Sequence, residues 1–330
     1  MMKLLISALP VLLFLFFLVY MDTFKLIKKS ILAAAMLWGA AAAVGSYFVS
    51  LLLSGAIKMG PGYYSGIIAP FIEEALKIAL IIYLIKRNRL GFAIDGAIAG
   101  FASGTGFALI ENLFYLNQLP TDNMFLWVVR GFGTAVMHGG TAAVFAIIVL
   151  SGNENEKRLG KWLRGFALAA FIHAFYNQFI ISPLYSSLLV ILILPVLIIY
   201  IFDRGERSLR NWMELELDSE IKLMLMIRKG EFAATRPGKY ILSIKDRFSK
   251  EVTFDMLCYI KLYIELSIKA KSILMLNESG LSVERGNDGA AEKLDELKQL
   301  EKNIGRAGIY AIAPVLRMNR KDLWKLNMLS

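Results

Sequence analysis

Two adjacent glutamates, followed by a lysine, stand inside an apolar stretch of the chain. Glu73 and Lys77 are four residues apart and Glu74 and Lys77 are three apart, so a helix brings the three side chains together. The lysine can neutralise one carboxylate, and the other then needs a proton or a further partner. The pattern is also compatible with an ion-paired cluster that fixes helix packing. Because adjacent carboxylates pack a helix poorly, we favour chemistry.

One further glutamate and both histidines of the chain also lie in apolar segments. The chain has seven apolar segments, whose bounds are given below. Glu111 is in the fourth of them, His138 in the fifth and His173 in the sixth, with Asn177 one turn after His173 on the same helix face. A charge at the bilayer centre costs at least ~2.5–3.5 kcal/mol, so such groups usually face a cavity or a partner. Each could instead be a helix–helix hydrogen bonder. Two histidines within spans and none in the remaining chain favour a functional role.

Carboxylates and imidazoles on four helices are suited to activating water. A carboxylate takes a proton from water as the water attacks a carbonyl, and a histidine donates to the oxyanion or to the leaving amine. The same groups could instead hold a metal ion that lowers the pKa of the water. The candidate ligands are His138, His173, Glu73, Glu74 and Glu111. The HExxH spacing is absent and Lys77 repels a dication, so we expect no cofactor, with zinc as the alternative.

Seven apolar segments must position these side chains. The chain is 57% hydrophobic. Its charged residues are distributed unevenly: residues 1–202 contain 22 Asp, Glu, Lys and Arg residues, and the shorter stretch 203–330 contains 42. The predicted fold is therefore an all-α membrane helix bundle (1–202) followed by a soluble, mainly helical tail (203–330). The predicted spans are 4–21, 31–53, 64–85, 91–116, 125–150, 165–182 and 184–202.

Basic residues indicate how the bundle is oriented. Loops 22–30, 86–90 and 151–164 carry ten Lys and Arg residues, whereas Lys58 is alone in the opposite loops. The positive-inside rule makes the basic side cytoplasmic, which places the N-terminus outside and the tail in the cytoplasm of a cell with an inner membrane. The net charge of +10 is thus explained by topology, and no nucleic-acid partner is expected.

Helix rise tests whether the polar groups can meet. Counted at about 1.5 Å per residue from the cytoplasmic ends, Glu73 and His138 lie about 18 Å deep and His173 about 12 Å. Glu111 comes out at about 28 Å, close to the outer face of a ~30 Å core, and fits less well. Arg130 is expected to be an interfacial anchor whose long side chain reaches the headgroups.

The order of these residues resembles the PrsW family of intramembrane proteases, which are relatives of the CAAX prenyl proteases. The matching residues are Glu73 to Lys77 for an EExxK motif, Phe107 to Glu111 for FxxxE, His138, and His173 to Asn177 for an HxxxN-like motif. The resemblance covers residues 60–202. Each motif is short, but four in order, each in its own apolar segment, are fairly specific.

The resemblance implies hydrolysis of a peptide bond in a membrane-anchored protein substrate, with an anti-sigma factor as one candidate. It implies Glu73 or Glu74 as general base and His173 as the group that polarises the carbonyl, with Glu111 and His138 completing the site and Lys77 and Asn177 supporting it. Two other classes stay open, a proton-coupled transporter and a non-catalytic membrane scaffold. A cleavage assay with single-span substrates separates them, because only a protease yields fragments.

The orientation predicts which loops react with membrane-impermeant thiol reagents. In a Cys258→Ser background, a cysteine at Thr121 should be labelled from outside intact cells, and a cysteine at Asn155 only after the membrane is opened. Labelling of position 155 in intact cells, with none at position 121, would contradict the topology.

Overall fold

The computed structural model describes residues 2–56, 61–119, 123–151, 157–178, 180–281, 289–316, 324–326 and 329. These residues form helices, turns and bends without a strand, which confirms the all-α prediction. The chain divides into two compact units, Met1–Glu206 and Arg207–Ser330, four residues beyond the predicted change of composition. The loop residues outside the described ranges include Lys58, Thr121 and Asn155.

Among the described residues, seven long helices begin in the first unit, one for each predicted segment. They are α1 (Met2–Tyr20), α2 (Lys29–Ala56), α3 (Ala69–Lys86), α4 (Ala93–Gln118), α5 (Ala135–Ser151), α6 (Arg158–Asn177) and α7 (Pro183–Arg228). The sixth helix ends five residues before the predicted end of its segment. The chain bends at residues 180 and 181, and Pro183 then occupies the first position of α7. The seventh helix runs beyond residue 202, because the change of composition there marks a change in polarity and not a helix end.

Five helical segments in the described residues are long and apolar enough to cross a membrane: Met2–Tyr20, Lys29–Leu53, Ala93–Gln118, Met124–Ser151 and Pro183–Arg228. Two predicted spans are not among them, and charge explains both. Helix α3 carries Glu73, Glu74, Lys77 and Lys86, and α6 opens with three basic residues in its first two turns. Both nevertheless pack within the bundle, α3 against α2, α4, α5 and α6, and α6 against α5 and α3.

Helix α4 is the centre of the bundle and packs against α1, α2, α3 and α5. Gly96, Gly100 and Gly104 of α4 face α5, where a methyl group on Gly104 would lie 2.1 Å from the carbonyl oxygen of His138. On another face of α4, a methyl group on Gly106 would lie 1.9 Å from the carbonyl oxygen of Met36 in α2. Small residues thus let the neighbouring helices approach α4 closely.

Two π-helical turns precede the helices that carry the predicted site. One spans Tyr64–Ile68 before α3, and the other spans Val129–Thr134 before α5. A π-helical turn holds one more residue than an α-helical turn, and such turns are frequent at functional sites. Each turn changes the rotational setting of the helix that follows it, and hence the direction of Glu73 or His138.

The second unit has its own hydrophobic core. Its helices include α8 (Arg236–Ile244), α9 (Lys250–Glu278) and α10 (Ala290–Leu316), and Gly305 kinks α10 with φ 70°. Helix α10 contributes an apolar stripe to this core, because Leu294, Leu297 and Ile304 are buried and Leu300 packs against the core. The buried Lys271 pairs with Glu216 and Glu220, each at 3.0 Å.

Close backbone packing of α4 predicts that Gly104→Ala destabilises the protein. The added methyl group meets backbone atoms, which cannot rotate away, and overpacking of this kind costs typically about 1–3 kcal/mol. Gly45→Ala in α2 is the matched control, because its methyl group would make an ordinary 3.9 Å contact with Leu76. Thermal unfolding in detergent should show a lower Tm for Gly104→Ala only; equal Tm values for both variants would contradict the packing argument.

Candidate active site

Glu74 is the residue that joins three helices at the site. Its Oε1 accepts hydrogen bonds from Lys77 Nζ at 2.6 Å and from Thr141 Oγ1 at 2.9 Å, and it lies 2.8 Å from His173 Nδ1. The side chains of Glu74, Lys77 and His173 have no solvent-exposed area, and Thr141 is buried as well. Because α3, α5 and α6 each supply a partner, this carboxylate fixes their relative positions. We refer to Glu74, Lys77, Thr141 and His173 as the buried cluster.

Lys77 determines the tautomer of His138. Its ammonium group lies 3.1 Å from His138 Nδ1, and an ammonium group can only donate. His138 Nδ1 is therefore the acceptor, and the ring proton is on Nε2, which lies 3.0 Å from Glu111 Oε2. His138 thus links the buried cluster to the carboxylate of α4, and it donates to that carboxylate as a neutral imidazole.

Glu111 contacts His138, so the predicted difference in depth between these two residues is wrong. Besides its bond with His138, its Oε2 lies 3.3 Å from Arg130 Nη2. The depth count fails because it treats every helix as straight and perpendicular to the membrane, with ends known to the residue. Arg130 is likewise not a free interfacial anchor: it is 12% exposed, donates from Nε to Asn112 Oδ1 at 2.9 Å, and lies 3.8 Å from the centre of the Tyr115 ring.

Glu73 and Glu74 have different surroundings although they are adjacent. Glu73 is 17% exposed, and its Oε2 lies 3.6 Å from His173 Nε2. A cavity of about 290 Å³ between α2 and α4 is lined by both Glu73 and Glu111. Glu74 does not line this cavity, because it points into the buried cluster. Of the two glutamates, Glu73 is therefore the one that a substrate or a water in this cavity can reach.

The two histidine rings lie together behind the cavity. Their centres are 4.6 Å apart and their planes are nearly perpendicular, at 86°. His173 Nδ1 donates to the Glu74 carboxylate, so Nε2 is left as the ring atom facing Glu73. His173 Nε2 and Glu74 Oε2 are buried, and neither has a hydrogen-bond partner among the described residues. Such atoms are unusual in folded proteins and favour a role in binding or catalysis.

Ligand atoms of Glu73, His138 and His173 lie within 4.8 Å of one another, which makes them a candidate metal group. Two imidazoles and one carboxylate form a donor set that catalytic zinc uses, and the unpartnered His173 Nε2 is a suitable ligand atom. The residues present therefore fit a divalent metal. The sequence offered Glu73, Glu74 and Glu111 as alternative ligands beside the histidines, and of these the structure brings Glu73 together with both rings.

The remaining predicted residue, Asn177, lies at the end of α6, where its Nδ2 donates to the backbone carbonyl of Ser65 at 3.5 Å. Its role as a donor to an oxyanion stays a prediction. Sequence reasoning missed Thr141 and Asn112. Thr141 follows His138 by three residues and so shares its helix face, and Asn112 is adjacent to Glu111. Polar residues at these spacings from a candidate group are a usable signal.

Known proteins share sequence with the part of the chain that forms this site. The chain is 28% identical over 147 residues to a curated protein named Protease PrsW from Clostridioides difficile (strain 630), and the match covers 42% of this chain and 60% of that protein. No solved structure matches the chain. The model of the family described as PrsW family intramembrane metalloprotease matches residues 28–202, more than half of the chain. The chain therefore belongs to the PrsW protease family.

Proposed function

We propose that the protein is an intramembrane endopeptidase that hydrolyses a peptide bond of a membrane-anchored protein. The observation that carries the proposal is the cavity between α2 and α4, where Glu73 and Glu111 face one space at the edge of a buried histidine pair. Family membership supports the reaction class. An anti-sigma factor is the candidate substrate that we carry over from the family resemblance.

In this proposal Glu73 is the general base and Glu74 is a positioning residue. Glu73 takes a proton from a water molecule whose oxygen attacks the carbonyl carbon of the scissile bond. The C–N bond then breaks, and the leaving nitrogen receives the proton. His173 Nε2, at 3.6 Å from Glu73 and without another partner in the described structure, is placed to pass this proton on. Glu74 keeps the His173 ring in the required orientation through Nδ1.

Glu111 and His138 form the opposite wall of the site. Glu111 accepts from His138 Nε2 and pairs with Arg130, so its carboxylate is fixed by α5 and by the π-helical turn that precedes it. We propose that this arrangement holds the ring of His138 against His173 and keeps a second negative charge at the cavity. A fixed charge beside the scissile bond contributes through electrostatic preorganisation, because it needs no rearrangement during the reaction.

A divalent metal is the alternative form of the same site. Glu73, His138 and His173 would hold it, and it would supply a Lewis acid that polarises the carbonyl and lowers the pKa of a bound water. We favour the metal-free form for two reasons. Both ring nitrogens of His138 already have partners, Lys77 and Glu111, and the Lys77 ammonium repels a second positive charge in a low-dielectric site.

We further propose seven spans in the inner membrane, with α3 and α6 added to the five strongly apolar segments. Packing of both helices within the bundle supports this count, because Glu74 of α3 is paired there with Lys77 and with His173 of α6. With seven spans, the basic loops and the tail fall on the cytoplasmic side and the N-terminus outside. The partners are then the lipid bilayer and the protein substrate.

The division of roles predicts different effects for the two glutamates. Glu73→Gln should lower kcat/KM by about 10²–10⁴-fold, the usual contribution of a general base, and leave Tm unchanged. Glu74→Gln should also lower Tm, since breaking a buried ion pair on one side costs about 3–5 kcal/mol. The measurement is cleavage of a single-span substrate library in nanodiscs, with Tm recorded on the same preparations. Full activity of Glu73→Gln would exclude its role as base.

Chelation separates the two forms of the site. In the metal-free form, exhaustive chelator treatment leaves turnover unchanged, and elemental analysis of active enzyme finds less than one equivalent of zinc. His173→Ala should abolish cleavage in either form, so metal content is the deciding measurement. Stoichiometric zinc that is lost together with activity in both His138→Ala and His173→Ala would overturn the metal-free form.

A further inference from the structure

The second unit contains a cavity of about 530 Å³, and four helices line it. Helix α7 contributes the face that carries Glu216, Glu220 and Leu223, residues that are four and three positions apart. The other walls are the start of α8, the middle of α9 and the end of α10. Every described lining residue lies within Arg207–Ser330, so we call this space the second-unit cavity.

Two carboxylates in the wall of this cavity belong to a cluster of buried charges. Lys271 Nζ lies 3.0 Å from Glu216 Oε2 and 3.0 Å from Glu220 Oε1. Lys325 Nζ lies 3.3 Å from Glu220 Oε1, and neither lysine side chain is more than 1% exposed. Apolar residues of similar volume often replace such a cluster without loss of stability. Four ionic groups beside a cavity therefore favour a role in binding over a role in packing.

One oxygen atom of this cluster has no hydrogen-bond donor. Ser267 Oγ donates to Glu220 Oε1 at 2.6 Å, and both lysines contact the same oxygen. Glu220 Oε2 is buried, and no group in the described part of the chain donates to it. A buried acceptor that stays unsatisfied destabilises the fold. The cavity that Glu220 lines thus favours a ligand with an N–H or O–H group.

Two exposed cations also line the cavity and make its surroundings positive. They are Lys222 of α7 and Arg236, the first residue of α8. The buried lysines already neutralise the two glutamates, so the exposed cations leave two positive charges for a ligand. A phosphate monoester carries nearly two negative charges at neutral pH, and the arginine fork can bind two of its oxygens at once. A phosphate therefore matches this pair of cations better than a single carboxylate does.

Much of the remaining lining is apolar or aromatic. All four helices contribute to this surface, which includes Leu223, Met226, Tyr240, Tyr263, Ile264 and Val315. The cavity volume is within the roughly 300–1,000 Å³ of ordinary ligand pockets and far exceeds the size of an inorganic ion. The ligand therefore needs an organic body in addition to its charged group and its donor.

We propose that the second-unit cavity binds a small organic phosphate with a hydrogen-bond donor, of the size of a nucleoside monophosphate. The phosphate pairs with Lys222 and Arg236, the donor binds Glu220 Oε2, and the body packs on the apolar walls. A nucleotide meets all three requirements, and carboxylates bind ribose hydroxyls in dinucleotide sites as well. The inference gives the second unit a binding function and does not depend on the peptidase proposal.

Isothermal titration calorimetry of the full chain in phosphatidylcholine nanodiscs tests the three requirements separately. The probes are AMP, GMP, CMP and UMP. Three controls each omit one group: the matching nucleoside has no phosphate, phenyl phosphate has no donor on its body, and inorganic phosphate has no body. We expect at least one nucleotide to bind about ten times more tightly than each control, because each control leaves a group of the cavity without its partner.

A matched pair of variants locates the binding site. Arg236→Gln removes a cation that lines the cavity, and Lys239→Gln removes an exposed cation of the same helix that does not line it. Both positions are on the surface, so both variants should keep the wild-type Tm. We expect Arg236→Gln to raise the Kd of the nucleotide about tenfold or more, and Lys239→Gln to change it less than twofold.

Three outcomes would overturn the inference. The first is a wild-type protein that binds none of the four nucleotides, and the second is equal Kd values for the Arg236→Gln and Lys239→Gln variants. The third comes from phenylalanine, which offers a donor and an apolar body but a carboxylate in place of phosphate. Tighter binding of phenylalanine than of every nucleotide would contradict the assignment of a phosphate.

Discussion

The buried pair of Glu74 and Lys77 is the interaction on which the rest of the site depends. Both side chains are wholly removed from solvent, where an isolated charge would be very costly, so each must be compensated within the bundle. Lys77 is shared among Glu74, His138 and Thr141, and Glu74 among Lys77, Thr141 and His173. The hydrogen bonds that compensate the two buried charges therefore come from three helices, α3, α5 and α6. The positions of both histidines follow from the need to satisfy this one pair.

The helices must pack closely for these hydrogen bonds to form. Lys77 reaches across to α5, and the Glu111 carboxylate of α4 meets His138 of α5, because α4 and α5 approach each other at Gly104. A bulkier residue there would separate the backbones beside His138. The small residues of α4 thus contribute to the chemistry indirectly, since hydrogen-bond distances of about 3 Å leave no room for a displaced helix.

The sequence alone predicted which residues matter better than it predicted how they meet. Polarity within apolar segments selected Glu73, Glu74, Glu111, His138 and His173 as candidates, and the structure brings them close together. The basic loops predicted the orientation of the bundle, which stays a prediction. Contacts between helices could not be predicted in this way. The pairing of Arg130 with Glu111 needs the actual tilt and the π-helical turn before α5, which a straight-helix count omits. The distinction between Glu73 and Glu74 likewise depends on which faces of α2 and α5 pack against α3.

The π-helical turns also have a consequence for how the chain tolerates length changes. One residue corresponds to about 100° of rotation around an α-helix. Removing a residue from Tyr64–Ile68 would convert that turn to ordinary α-helix and bring it into phase with α3. Either α3 would then rotate, swinging its glutamates toward lipid, or the preceding turn would rotate instead and expose a different face at the membrane surface. The extra residue therefore lets the rotation of the turn and the rotation of α3 be set independently. The turn can present one face to the membrane environment while α3 directs its glutamates toward the buried charges.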